Sequence, residues 1–400
     1  MIKTDTEHWP GRIVLMLAHV AGMIDLVALP VWVGTTLIGE YHFSPPLAGA
    51  MVTAYLLAVV AGSLTFAPRF HPSTAQRVAP MGYAMAAGAF VVLTRTANPN
   101  AMIALHVLAG FSAGTALSFT HGTIGRSDRP HRLFAMVTIG LGVSGLAFLG
   151  IAQSLVPVHG GAVLFALFAA LMAIAAIATA VAFPRPPAAA DAADASSIAQ
   201  GAMVQPIGAP VWLAIAGLTL MAVLQSTMFS FLERIGAARG FEGRVQGVLI
   251  TSALVNPLSA ALAGASERLI QPSRVALCGA VLQAMLAMIL VFNGGFLPYA
   301  FSGILFVTVI IVTHTFVFGW LASNDASGRA VALTPAMVMS GAAIGPLLGG
   351  LLVAGFGIPS LGIVALVIGV VSFTCYRIAF AWLSSGATSR LETYEARNEL

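Results

Sequence analysis

The residues of this sequence best placed to do chemistry are a few ionisable side chains stranded inside long apolar runs. Asp25 stands in the stretch AHVAGMIDLVALPVWVGTTL and is the one acid well inside an apolar run of the first half. An ionised carboxylate at the centre of a bilayer costs at least about 2.5 kcal/mol on insertion scales. A carboxyl kept at such depth is expected to alternate between protonated and charged forms, which is what coupling to a proton gradient requires. The alternative is a structural carboxyl, held neutral or paired with a neighbouring Arg or His. His19, His106, His121 and His314 are the imidazoles inside apolar runs, and Gln225, Asn256, Gln283 and Asn293 are the neutral polar residues. A buried imidazole can line a proton or solute path or serve as a hydrogen-bonded packing residue. His19, His106, Gln225, Asn256 and His314 are the candidate lining residues, whereas His121 is read as interfacial.

The elements that must hold these residues follow from composition. Hydrophobic residues make up 58 % of the 400 and charged residues 8 %, against a mean hydropathy of +0.94. A soluble domain carries roughly 25 % charged residues, so most of this surface must face lipid. The apolar runs lack the two-residue alternation of a membrane barrel, and backbone groups in lipid have to pair within their own segment. Helices are therefore expected. Runs long enough to span a bilayer number twelve: 13–39, 45–66, 76–95, 99–122, 131–155 and 160–183, then 210–233, 243–266, 272–293, 296–321, 328–354 and 357–383. Residues 1–183 form a first six-helix bundle, 184–209 a polar Ala/Pro-rich linker, 210–383 a second bundle and 384–400 a tail.

Charge sets the expected orientation. With both termini inside, 14 Lys and Arg fall on the cytoplasmic side and only Arg95, Arg234, Arg239 and Arg244 outside. That is the positive-inside pattern of an inner-membrane protein, and it accounts for the basic balance without nucleic acid. The first apolar run is too long for a cleaved signal. Cys278 and Cys375 lie in apolar runs with no metal-ligand spacing and are read as small buried hydrophobes. The halves also resemble each other. At an offset of 198, Phe43, Gly49 and Thr53 match Phe241, Gly247 and Thr251; at 200, Arg129, Leu133, Gly145 and Gly150 match Arg329, Leu333, Gly345 and Gly350. Duplicated bundles are a transporter design, with the solute site where the repeats meet.

Several stretches carry a resemblance to the major facilitator superfamily. Gly341, Gly345, Pro346, Gly349 and Gly350 look like its Gly-Pro-x-x-Gly-Gly helix motif, here in the eleventh span; the fifth has Gly140, Gly142, Gly145 and Gly150 without the proline. Small residues let helices approach closely where no hydrophobic force pairs them, so this stretch reads as a packing and hinge element. The loop GASERLIQPSRV keeps Glu267 and Arg268, while the corresponding first-half loop AGSLTFAPRFHPSTAQRV lacks an acid. The resemblance implies a cytoplasmic gate at Glu267, Arg268 and Arg329, though these residues also read as positive-inside anchors. Asp25 followed by Ala28, Leu29 and Pro30 is similar to the first-helix motif of proton-driven drug exporters, with a shorter spacing.

The resemblance implies an all-α fold of two six-helix bundles that rock about a central site, working as a monomer. Its expected partners are a small organic solute, protons through Asp25 and the lipid bilayer. Export is slightly favoured, and uptake of an organic acid or other metabolite is the alternative. No Walker loop, nucleophile elbow or His/Cys zinc cluster is present, so no cofactor, metal or catalytic residue is expected. A polytopic membrane enzyme is the rival from another class.

Overall fold

The computed structural model describes residues 5–185, 207–266, 269–325 and 327–398. Proline opens most of its long helices, because the first helical position needs no N–H. α1 is Trp9–Pro30, α2 Pro45–Phe66, α3 Pro72–Leu93, α4 Pro99–Gly125, α5 Pro130–His159 and α6 Ala162–Ala182. The second half holds α7 (Ala209–Ser230), α8 (Glu242–Ala265), α9 (Pro272–Phe292), α10 (Phe296–Asn324), α11 (Thr334–Phe356) and α12 (Pro359–Asn398). Eleven of the twelve are long and apolar enough to cross a membrane. The exception is α3, which carries Gln76, Arg77 and Pro80 yet runs for 22 residues, about 33 Å at 1.5 Å per residue.

Three expected boundaries shift for local reasons. The first span opens at Trp9 rather than 13 and changes character at Pro30: residues Val31–Glu40 continue it as a π-helix. A proline lacks the N–H for an α-helical bond, and a wider helical turn takes over beyond it. The eleventh span is divided. Arg329–Ala332 forms one short helix, and a second helix starts at Thr334, with Pro335 in its first turn. The last helix runs on to Asn398, past residue 383. Its apolar part ends at Trp382, and the tail sequence beyond holds no proline to stop it.

Short connections make successive helices antiparallel, which gives the molecule two ends. The base carries the start of α1 and the ends of α2, α4, α6, α8 and α10; the rim carries the ends of α1, α3, α5, α7, α9 and α11. Within each half, close approach is set by glycine. A Cβ at Gly110 or Gly114 of α4 would overlap the Tyr55 or Val59 carbonyl of α2, and one at Gly62 of α2 would overlap the Phe111 carbonyl of α4. α11 lies against α7 in the same way. A Cβ at Gly341 would sit 2.5 Å from the Ala222 backbone, and at Gly349 it would sit 2.6 Å from the Phe231 ring.

The sequence repeat reappears in this packing. Gly145 of α5 meets Val27 of α1, and Gly345 of α11 meets Ser226 and Thr227 of α7. Both Gly145/Gly345 and Val27/Thr227 are 200 residues apart, the offset read from the sequence. Asp25 and Gln225 are equivalent by the same spacing.

Candidate functional site

The two halves touch at the base. A Cβ at Gly125 of α4 would collide with Val331, one at Gly264 of α8 with Ala135 of α5, and one at Gly319 of α10 with the His131 ring of α5. Ser118 donates to Ser63 Oγ at 2.8 Å, and Ser63 donates to Ala332 O at 3.3 Å, so α4, α2 and the segment before α11 are strung together. Phe134 of α5 packs on Phe318 of α10 at 5.0 Å. Part-way up α5, Gly142 faces Pro257 of α8. Added Cβ atoms at Gly34, Gly49, Gly150, Gly243, Gly247, Gly350 and Gly355 would meet nothing within 4 Å. The halves are therefore clasped at the base, while these rim-side glycines face open space.

Asp25 sits above this clasp. It lies 16 residues past Trp9 along α1, roughly 24 Å up the helix, and is 1 % exposed. Neither carboxyl oxygen has a side-chain hydrogen-bond partner among the described residues, so the paired-carboxyl alternative finds no Arg or His contact here. In the same bundle Tyr55 of α2 is fully buried. Tyr55 stands edge-on to Trp32 at 5.1 Å, and Trp32 stacks on His106 at 5.4 Å. His106 Nδ1 lies 2.7 Å from Met102 O, so it donates there, leaving Nε2 as the acceptor. His106 Nε2, the Trp32 indole nitrogen, the Tyr55 hydroxyl and the Thr36 hydroxyl are all buried without a partner among the described residues. These partnerless polar groups lie among aromatic rings inside the first bundle, the bundle that also buries Asp25, and Trp32 and Thr36 bring the π-helical segment into them.

The other candidates separate from His106. Gln225 accepts from Gln283 of α9 at 3.4 Å, and Gln283 also donates to Met221 O at 3.2 Å, so this pair ties α7 to α9 within the second bundle. Asn256 is half-buried, its side-chain oxygen has no partner among the described residues, and it precedes the Pro257 that meets the first half. His314 packs on Phe318 at 5.1 Å, next to the clasp. His106 and His314 are not neighbours: one lies in the aromatic interior of the first bundle, the other at the base of the second.

His19 instead meets His121. Their rings stack at 5.0 Å, and His19 Nδ1 is 2.8 Å from His121 Nε2. His121 Nδ1 reaches Thr334 Oγ1 of α11 at 2.5 Å. Read from the sequence as interfacial, His121 is 2 % exposed and bridges the halves. Its position three residues from Ile124 near the helix end hid that role, and only the approach of α11 reveals it.

The expected gate residues have different fates. Glu267 and Arg268 lie outside the described residues, as does the linker from 186 to 206. Arg329 opens the short helix whose Val331 and Ala332 meet α4 and α2, and its Nε donates to Ser327 Oγ at 2.9 Å. Asp325 holds this turn by accepting from Ala330 N at 2.6 Å. Beside the clasp, Glu7 accepts from Arg12 at 3.1 Å and from the Asp128 backbone at 3.0 Å, so the N-terminal strap is fastened to the α4–α5 connection. The His8 hydrogen bond to Asp5, outside the spans, holds that carboxyl below its usual range. In the hinge motif Gly350 points away from α7 into open space, Pro346 is exposed, and α11 stays helical through both. Cys278, read as buried, is exposed on α9, because a sulfhydryl is apolar enough to face lipid.

A multi-pass membrane protein of two six-helix bundles, clasped at one end, has the architecture of the major facilitator transporters. The chain has that fold. It is similar over 92 % of its length to the E. coli fucose:proton symporter FucP, with a TM-score of 0.67 for one structure at 12 % identity and 0.68 for another, in the outward conformation, at 13 %; each match covers 97 % of that protein. It is also similar to the human organic anion transporter MFSD10 (TETRAN), with a TM-score of 0.69, 14 % identity and coverage of 92 % of this chain and 99 % of the other. No protein-family model and no curated protein matches the sequence.

Proposed function

We propose that this protein is a secondary transporter that carries a small organic solute across a bacterial-type inner membrane by alternating access, coupled to protons through Asp25. The observation that carries the reading is the buried carboxyl of Asp25, without a side-chain partner, above a clasp that joins two repeated bundles. The fold, shared with a proton symporter and an organic anion transporter, supports it. An acid at this depth is costly when charged. Such a carboxyl, with no partner among the described residues, suits binding a proton on one side of the membrane and giving it up when access switches. The base is the cytoplasmic face by the 14-to-4 count of basic residues. On that assignment the clasped end faces the cytoplasm. Gln225, the equivalent of Asp25 in the second bundle, carries no charge, which fits a reading in which the first half couples to protons and the second serves the solute.

Direction has two readings. Export of amphipathic compounds rests on the stretch from Asp25 to Pro30. Solute–proton symport has on its side the likeness to a fucose:proton symporter.

The test is transport in vesicles. Purified protein is reconstituted with a pH dye inside, and sugars, organic acids and amphipathic cations are added in turn. A solute that moves should acidify or alkalinise the lumen, and the sign distinguishes symport from exchange. Solute flux without proton movement, together with normal flux in Asp25→Asn, overturns the coupling.

A further inference from the structure

The chain from His19 through His121 to Thr334 plays no part in the Asp25 mechanism, yet it joins α1, α4 and α11 across the two halves. Its protons can be placed from geometry. The Thr334 hydroxyl donates to Val331 O at 2.8 Å, so toward His121 it accepts. His121 therefore carries its proton on Nδ1, and its Nε2 accepts from His19 Nδ1–H. That leaves His19 Nε2 as a bare lone pair, buried and without a partner among the described residues. Every hydrogen bond in the chain is made with both rings neutral.

An added proton has no favourable place in this arrangement. On His121 Nε2 it would set two N–H donors face to face across 2.8 Å unless His19 moved its own proton to Nε2, where that hydrogen too would lie buried with nothing to accept it. On His19 Nε2 it would create a buried cation with nothing to accept its hydrogen, and burying an unpaired charge is costly. The surroundings do not compensate. From α3, Tyr83 donates to Ala18 O at 2.8 Å and touches Thr120 at 3.2 Å. From α5, Phe134 presents its ring edge-on to His121, with His131 one turn nearer the base. From α10 comes His314, packed on Phe318. Asp25 lies six residues up α1 and Arg126 five residues down α4; α2 offers Tyr55 alone, while α6 and α11 carry no ionisable side chain. No carboxylate is bonded to either ring among the described residues.

We propose that the His19–His121–Thr334 chain is a proton-binding site distinct from Asp25. Neutral, its His121–Thr334 bond latches the two halves at the base; a proton taken up by either imidazole leaves a buried charge with an unaccepted hydrogen, which is relieved when the halves part. The proposal rests on the rocking of the two halves and does not depend on Asp25. Water reaching the parted rings would stabilise the imidazolium that the closed latch excludes, so acidity on the base side favours opening.

Spin labels at Ser73→Cys and Asn324→Cys, both exposed at the base on opposite halves, report the separation in a Cys278→Ser/Cys375→Ser background. Double electron–electron resonance on the full chain in nanodiscs is recorded from about pH 8 to about pH 5, the span over which imidazoles titrate. In the otherwise unaltered protein a short distance at the alkaline end should give way to a longer one at the acid end. His19→Gln/His121→Gln supplies amide donors and acceptors that do not titrate, and it should hold the short distance throughout. Thr334→Val removes the acceptor on α11 and should lower the closed-to-open ratio roughly fivefold at the alkaline end, the worth of one hydrogen bond. The proposal is overturned if the double glutamine variant opens with acid as the parent does. It is also overturned if the parent ignores pH while Thr334→Val opens, since the halves then rock without a proton. If neither acid nor Thr334→Val lengthens the distance, the rocking reading falls together with the latch.

Discussion

At the scale of single residues, scarcity decides what matters. A chain with 14 acids in 400 residues has little reason to leave one in the middle of a span, and Asp25 is buried there with no hydrogen-bond partner among the described residues. Asp25→Asn keeps size and shape and removes only the ability to ionise. The expected result is a folded protein, with an unchanged melting profile in detergent, in which solute-driven proton movement is lost. Replacing Tyr55 by Phe tests the polar groups buried in the same bundle. Its hydroxyl lacks a partner among the described residues, so the change leaves no orphaned group in the folded chain and should cost at most about 1 kcal/mol of stability. If these groups conduct protons toward Asp25, however, the pH dependence of flux should shift. An unaltered profile in Tyr55→Phe would mean Asp25 receives its proton by another route. Asp25 was legible in the sequence because its cost depends on depth alone. His121 was not, since its value lies in partners on α1 and α11, and nothing local in the sequence records which helices will face each other.

At the scale of helices, the glycines divide by what they face. Gly341, Gly345 and Gly349 recur every four residues and all turn to α7, where an added Cβ overlaps backbone or ring atoms. Gly350, in the same motif, faces open space. Gly345→Leu should therefore force α11 off α7 at a cost of about 1–3 kcal/mol, seen as a lower melting temperature, while Gly350→Ala should be silent. Gly145→Leu should behave like Gly345→Leu, because Val27 blocks it as Thr227 blocks the other. Comparable losses at Gly345 and Gly350 would mean the α7 contact is not what these glycines serve. Spans, repeat and the small-residue stripe were readable from composition and spacing, since lipid demands length and close packing demands glycine. The π-helical turn after Pro30, the break at Leu333 before Pro335 and the full length of α12 were not, because hydropathy continues across all three while the backbone pairing changes.

The whole molecule is asymmetric along its long direction, and the transport reading depends on that asymmetry. At the base, Ser63 reaches the Ala332 carbonyl across the two halves at 3.3 Å; near the rim, Gly49 of α2 and Gly350 of α11 each face open space. If the halves rock, the basal contact has to separate once per cycle. A Ser63→Cys/Ala332→Cys pair in the background without Cys278 and Cys375 should cross-link rapidly with a mild oxidant, and transport in vesicles should stop and return on reduction. A Gly49→Cys/Gly350→Cys pair should cross-link slowly, and faster under conditions that open the base, because closing the rim accompanies that opening. The two pairs then report one motion from opposite ends. Fast cross-linking of both pairs at once would describe a molecule closed at both ends. Full transport through a cross-linked base would remove alternating access as its mechanism, whatever the role of Asp25.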